Sequence, residues 1–156
     1  MEIRRATADD WKSSKDIRLR ALAEAPNAFC SSLERELAFD DQAWRDRLVA
    51  TATFLAWDGG TAVGTATGTA DSHEQNGREL VAMWVDPSAR HAGVAIALMD
   101  AVVGWARTEG SRAIALWVAE DNTDARHTYE RYGFELTGER EPMRPGVDQL
   151  RMRKSL

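Results

Sequence analysis

One cysteine, Cys30, stands in 156 residues, so an internal disulfide is excluded and the expected compartment is a reducing one, the cytoplasm by default. Basic residues are in deficit. Twenty Lys and Arg against 25 Asp and Glu give a formal net charge of −5, which argues against a nucleic-acid surface and makes a basic or amine-bearing partner electrostatically easier. No apolar run approaches a membrane span, the first ten residues lack the apolar core of a signal peptide, and no repeat or low-complexity tract marks an interaction array. The three histidines, His73, His91 and His127, are scattered without ligand spacing, so no metal is expected. What is present is an ordinary composition, 44% hydrophobic and 29% charged, and residues 1–156 read as a single domain able to bury one core.

Glu2 to Ala6 reads as a short edge strand, after which Thr7 or Asp9 offers an N-cap to a helix predicted from about Asp10 to Ala25. Ile17, Leu19, Leu22 and Ala25 form its apolar stripe, with Arg18 and Arg20 expected in solvent. Asn27 to Phe39 shows no strand pattern and reads as a surface lid with Glu34, Arg35 and Glu36 solvated, before Asp40 or Asp41 caps a second helix. Thr53–Trp57 and Thr61–Thr69, joined by Asp58-Gly59-Gly60, predict a hairpin in which Gly64 and Gly68 mark a bulge or a close approach. The polar connection Asp71–Gly77 carries His73 as an exposed loop residue. Its Asp71 and Glu74, with Glu34 and Glu36, would suit a cationic amine.

Arg78 to Val85 reads as a central strand, apolar on both faces except at Glu79. Asp86-Pro87-Ser88 turns the chain, and Gly93 to Thr108 reads as a buried helix ended by Gly110. A helix start has main-chain N–H groups without internal partners, and the small residues Gly93 and Ala95 leave room for an anion there. The next strand, Ala113–Val118, must pair in parallel with Arg78–Val85, bringing both carboxyl ends to the sheet edge where ligands bind. Asn122 or Thr123 caps a helix through about Tyr132, stopped by Gly133. Phe134–Thr137 and Gln149–Arg153 form a closing hairpin.

Arg90-His91-Ala92-Gly93-Val94-Ala95 matches the Q/R-x-x-G-x-G/A pattern of the GNAT superfamily of acyl-CoA-dependent N-acyltransferases. Asn122-Thr-Asp-Ala125-Arg-His-Thr-Tyr129-Glu-Arg-Tyr-Gly133-Phe134 resembles that family's N-x-x-A-x-x-x-Y-E-x-x-G-F segment. The resemblance spans roughly residues 79 to 134. It implies an α/β (α+β) fold, with a mixed, mostly antiparallel sheet, a central parallel pair splayed at the acyl-CoA site, and helices on both faces. It places the pyrophosphate of acetyl-CoA on the main-chain N–H groups of Arg90, His91, Ala92, Gly93, Val94 and Ala95, and the pantetheine arm along Met83 and Val85. Asn122 would contact that arm, while Arg126 would reach a phosphate or lie in solvent. His91 and Ala92 depart from residues often glycine and basic in the family.

The implied reaction is acetyl transfer from acetyl-CoA to a primary amine of a small molecule or peptide. A catalytically silent acyl-CoA sensor or assembly module is the alternative, and a homodimer is allowed. An amine arrives mostly protonated, so a proton acceptor is needed. Glu79 is a candidate base, against the reading of a solvent-facing strand-end carboxylate. Tyr129 is the preferred acid toward the leaving thiolate, against a purely packed core tyrosine, and the amide of Met83 or Val85 would stabilise the developing oxyanion. Cys30 reads as a small semi-buried residue, not a nucleophile.

Overall fold

The computed structural model describes residues 1–156. Strands β1 (Glu2–Arg5), β2 (Ala52–Asp58), β3 (Thr61–Ala70), β4 (Arg78–Val85), β5 (Ala113–Ala119), β6 (Glu135–Arg144) and β7 (Val147–Ser155) form one sheet in the order β1-β2-β3-β4-β5-β7-β6. All neighbours are antiparallel except β4 and β5. Helices α1 (Trp11–Glu24), α2 (Leu33–Leu37) and α3 (Asp41–Ala50) precede the main sheet, α4 (Val94–Thr108) links the parallel pair, and α5 (Thr123–Tyr132) follows it. No helix is long and apolar enough to cross a membrane.

Both faces of the sheet are covered, as its alternating side chains require. One core joins Val94, Leu98, Met99, Val102 and Val103 of α4 to Ala66, Leu80, Ile114, Leu116 and Met152 of the sheet, with Ala125, Tyr129 and Tyr132 of α5 packed against it. The other joins Ile17 and Ala21 of α1 and Leu48 of α3 to Leu55, Trp57 and Trp84. Gly64 and Gly68 let α4 approach closely: a Cβ would lie 2.9 Å from Leu98 Cδ1 at Gly64 and 2.5 Å from the Trp105 ring at Gly68.

Several expectations for the polar segments are corrected. Residues 33–37 are helical, capped by Ser32 Oγ, which accepts from Arg35 N at 3.1 Å. Glu36 is fully buried rather than solvated and is gripped by Arg18 at 3.0 Å through both oxygens and by Arg47 at 2.9 Å. Arg20 is likewise not free, donating to Asp86 at 2.8 Å, Asp16 at 3.0 Å and Ala62 O at 2.5 Å. The closing strands run longer than expected because β6 is an edge strand, where Pro142 costs no central ladder bond and Gly138 absorbs an irregularity at φ 90°.

Candidate functional site

The turn between β4 and α4 is pinned from below. Asp86 Oδ1 accepts from Ser88 N at 2.9 Å and Ser88 Oγ at 2.7 Å, while Asp86 N donates to Val63 O of β3 at 2.8 Å. Beyond it the chain takes left-handed conformations at His91 (φ 64°) and at Gly93 (φ 80°), the N-cap of α4. Glycine is favoured at 93 by that φ rather than by crowding, since an added Cβ would meet nothing within 4 Å. The main-chain N–H groups of His91 through Ile96 donate no hydrogen bond within the protein, whereas Arg90 N donates to Pro87 O at 3.4 Å. The donor run therefore begins one residue later than the motif implies and lies at the positive end of a 15-residue helix.

The parallel strands are in register at Arg78↔Ile114 and Glu79↔Ala115 and nowhere further along. Past Glu79 they diverge. A bulge drives this, because Val81 and Trp84 of β4 oppose Thr67 and Thr65 of β3, so Ala82 and Met83 share one opposing residue, and Ala82 takes φ 55°. Since Asp86 N–H points to β3, the alternation of strand amides turns Val85, and Met83 before it, into the gap. The Val85 carbonyl is occupied by Arg90 Nε at 2.9 Å. Arg90 is held in turn by Glu24 at 3.0 Å, the same carboxylate oxygen that accepts from Trp84 Nε1 at 2.9 Å. The Arg90 guanidinium thus braces the end of β4 against α1.

Tyr129 packs against the core on the α4 face of the sheet. Its ring meets Phe134 edge-on, centroids 6.0 Å apart, its hydroxyl donates to no protein group, and burial pushes its pKa up to about 12. Asn122 caps α5, its Oδ1 accepting from Ala125 N at 3.4 Å. Arg126 lines a cleft of 490 Å³ with Glu120, Asp121, Leu136, Glu139 and Arg140. Its Nε is buried without a partner.

Glu79 sits on the opposite face, at the vertex where the strands part. The register puts it beside Thr69 and Ala115, on the face of Trp117, Arg151 and Arg153. It is partly buried and has no hydrogen bond or ion pair. Burial, followed by the negative charge of Asp71, raises its pKa above the ordinary carboxylate value. His73 is an exposed loop residue, as expected, with Nε2 2.9 Å from Glu141 Oε1 and its ring edge-on to Trp117 at 5.3 Å. Of the four loop carboxylates expected to suit an amine, Glu34 is exposed without an ion pair and the other three are already paired. Asp71 is bound to Arg151 at 2.5 Å, Glu74 to Arg153 at 2.9 Å and Glu36 to Arg18 and Arg47.

Over 19–134 the chain matches the family model described as Acetyltransferase (GNAT) family. The chain belongs to the GNAT family. A mycothiol acetyltransferase of Geodermatophilus obscurus is 38% identical over 85 residues, which cover 52% of this chain and 28% of that relative. The match therefore spans little more than a quarter of the relative's length. Among solved structures, a GNAT-family acetyltransferase from Streptococcus pneumoniae superposes with TM-score 0.86 at 20% identity, covering 99% of this chain and 98% of the other. The yncA protein of Salmonella typhimurium, solved with acetyl-CoA, gives 0.79 at 19% identity, covering 100% and 94%. Both establish the shared fold.

Two features of this GNAT chain escape a motif reading. One is the Asp71–Arg151 pair beside Glu79. Its trace in the sequence is the alternation Gln149, Arg151, Arg153 against Leu150 and Met152, which marks one polar face of β7. The other is the roof over that face. Arg144 at the β6–β7 turn donates to Asn27 O at 2.9 Å, and Cys30, exposed rather than semi-buried, places Sγ 3.5 Å from Gln149 Oε1.

Proposed function

We propose that this chain transfers the acetyl group of acetyl-CoA directly to a primary amine. The observation that carries the reading is the continuity of the unpartnered amides of His91–Ile96 with the gap between β4 and β5. A run of free N–H groups at a helix N-terminus suits a pyrophosphate, and the diverging strand edge offers Met83 and Val85 amides to an amide-bearing arm. The residues present therefore fit acetyl-CoA, which when bound supplies the acetyl thioester.

In this reading Glu79, on one face of the sheet, and Tyr129, packed on the other, serve the two ends of the reaction. The acceptor enters from the Glu79 face, and its ammonium gives a proton to Glu79, directly or through one water. The freed nitrogen forms a C–N bond to the acetyl carbon as the C–S bond breaks, the sulfur leaves with the electron pair toward Tyr129, and the proton shed by the acylated nitrogen passes to that thiolate, giving the amide and free CoA thiol. The Val85 or Met83 N–H supports the oxygen that gains charge. Burial pushes the Tyr129 hydroxyl up to about 12, well above a simple thiol near ~8.5. Tyr129 thus acts as a hydrogen-bond donor to the developing thiolate and stays protonated throughout the neutral range. Tyr129→Phe is expected to lower kcat about 100-fold with acetyl-CoA affinity unchanged, measured by steady-state kinetics and calorimetry. Release of free CoA thiol from acetyl-CoA with a panel of small amines and peptides tests the reaction. Amine-dependent release supports it, and binding without release under every condition would favour a silent acyl-CoA module.

A further inference from the structure

The reading of Glu79 as base leaves unexplained a charged pair buried next to it. On the sheet face opposite α4, the register fixes a row of Glu79 on β4, Ala115 on β5 and Arg153 on β7. One step along, Trp117 and Arg151 oppose each other on the same face. Arg151 is only 3% exposed, and its Nη2 lies 2.5 Å from Oδ2 of Asp71, whose side chain has no exposed surface. Asp71 immediately follows β3, so in the order β3-β4-β5-β7 this pair must span β4 and β5. The alanine at 115, next to Glu79, leaves it room to do so. Arg151 is further fixed by Glu139 at 3.5 Å and by the Trp117 ring, whose centroid is 5.8 Å from its guanidinium carbon. Buried ion pairs stabilise a fold little compared with apolar packing, so stability alone gives poor reason for one here.

We propose that Arg151 is a positioning residue for the proton-transfer step: clamped by Asp71 and Trp117, it sets the electrostatic potential at the Glu79 carboxylate and hence the pH range in which Glu79 accepts a proton. This rests on Glu79 being the base. The charged groups around this face are Asp71, His73 and Glu74 from the 71–77 loop, Arg151 and Arg153 from β7, and Glu139 and Glu141 from β6, with Arg153 paired to Glu74; Asp71, Arg151, His73 and Glu141 act most on Glu79. After burial, Asp71 and Glu141 favour the protonated carboxyl, and Arg151 and His73 favour the carboxylate. The two members of the buried pair therefore push Glu79 in opposite directions.

That opposition provides the test. Carbon-13 NMR titration of the Glu79 side-chain carboxyl in the ligand-free chain reads its midpoint, alongside the acid limb of kcat/KM. Arg151→Met is expected to raise the midpoint by about one unit and Asp71→Asn to lower it by a similar amount, each a roughly ten-fold change in the proton concentration at half-activity. Arg151→Lys, which keeps the charge, should stay nearer the wild type than Arg151→Met. A merely structural pair would lose stability in both variants and move the midpoint in neither, or in the same direction in both; either result overturns the proposal. If Arg151→Met fails to fold, Asp71→Asn decides alone, and an unmoved or raised midpoint overturns it. Glu79→Gln keeps the two readings separate. Should it retain the wild-type acid limb, the base assignment falls; should it lose the limb while the midpoint stands still in Arg151→Met and Asp71→Asn, only the role of Arg151 falls.

Discussion

Glu79→Gln should lower kcat/KM for the amine acceptor by about 10²–10⁴-fold, the usual contribution of a positioned general base. Glutamine keeps the shape of the side chain but has no carboxylate to receive the proton. Wild-type activity should fall as pH drops through the midpoint of Glu79, and because burial raises that midpoint the fall lies above the ordinary carboxylate range. The variant should lack this limb and retain acetyl-CoA binding, because Glu79 lies on the face away from Tyr129 and α4. Steady-state kinetics from acid to neutral pH check the expectation. A variant with wild-type turnover and the same limb would remove Glu79 from the mechanism.

A second large effect is expected far from the chemistry, at Glu36. Burial alone would raise its pKa, but hydrogen bonds from Arg18, Ser31 and Arg47 outweigh that and bring it from 4.5 down to about 2. A carboxylate lowered this far contributes about 3 kcal/mol to stability at neutral pH. The sign is that of a depressed acid: the contribution is complete above pH 4.5 and disappears as pH falls toward 2. Glu36→Gln leaves Arg18 without its fork partner, and removing one member of a buried pair costs about 3–5 kcal/mol. A Tm lower by roughly 6–20 °C is expected, together with loss of the stability slope between pH 4.5 and 2, measured by thermal and denaturant unfolding. The effect should reach the acceptor side, because Arg18 also stacks on Phe29, 4.8 Å from the ring centroid, in the loop that meets β6 and β7.

Residues 78–134 were the most legible part of the chain, and the reason is local physics. The run Leu80–Val85, the glycine at a helix start and the Asn122 cap each declare themselves within a few residues, and a strand, helix and strand in sequence permit essentially one topology. The Asp58-Gly59-Gly60 hairpin was readable for the same reason. The misread residues are those whose partners are distant in sequence. Glu36 looked like a solvated loop charge because its counter-ions are 18 and 11 residues away, and Asp71 because its partner lies 80 residues on. A charge pattern shows which residues are polar, but only the folded chain shows which pair is buried. Arg90 illustrates the same limit within the motif itself. Its position was evident, whereas its contacts with Val85 O and Glu24 depend on how α1 packs against the end of β4.

The central claim is that the amides of His91–Ile96 and the edge of β4 form one acetyl-CoA site, and a nitrogen-15 amide titration tests it most directly. Adding acetyl-CoA to the labelled chain should shift the amides of His91, Ala92, Gly93, Val94, Ala95 and Ile96 together with those of Met83 and Val85, all at one saturation midpoint, because these donors have no partner within the protein on the turn and face the gap on the strand. Saturable binding that leaves these amides unmoved, or no binding at all, would contradict the account.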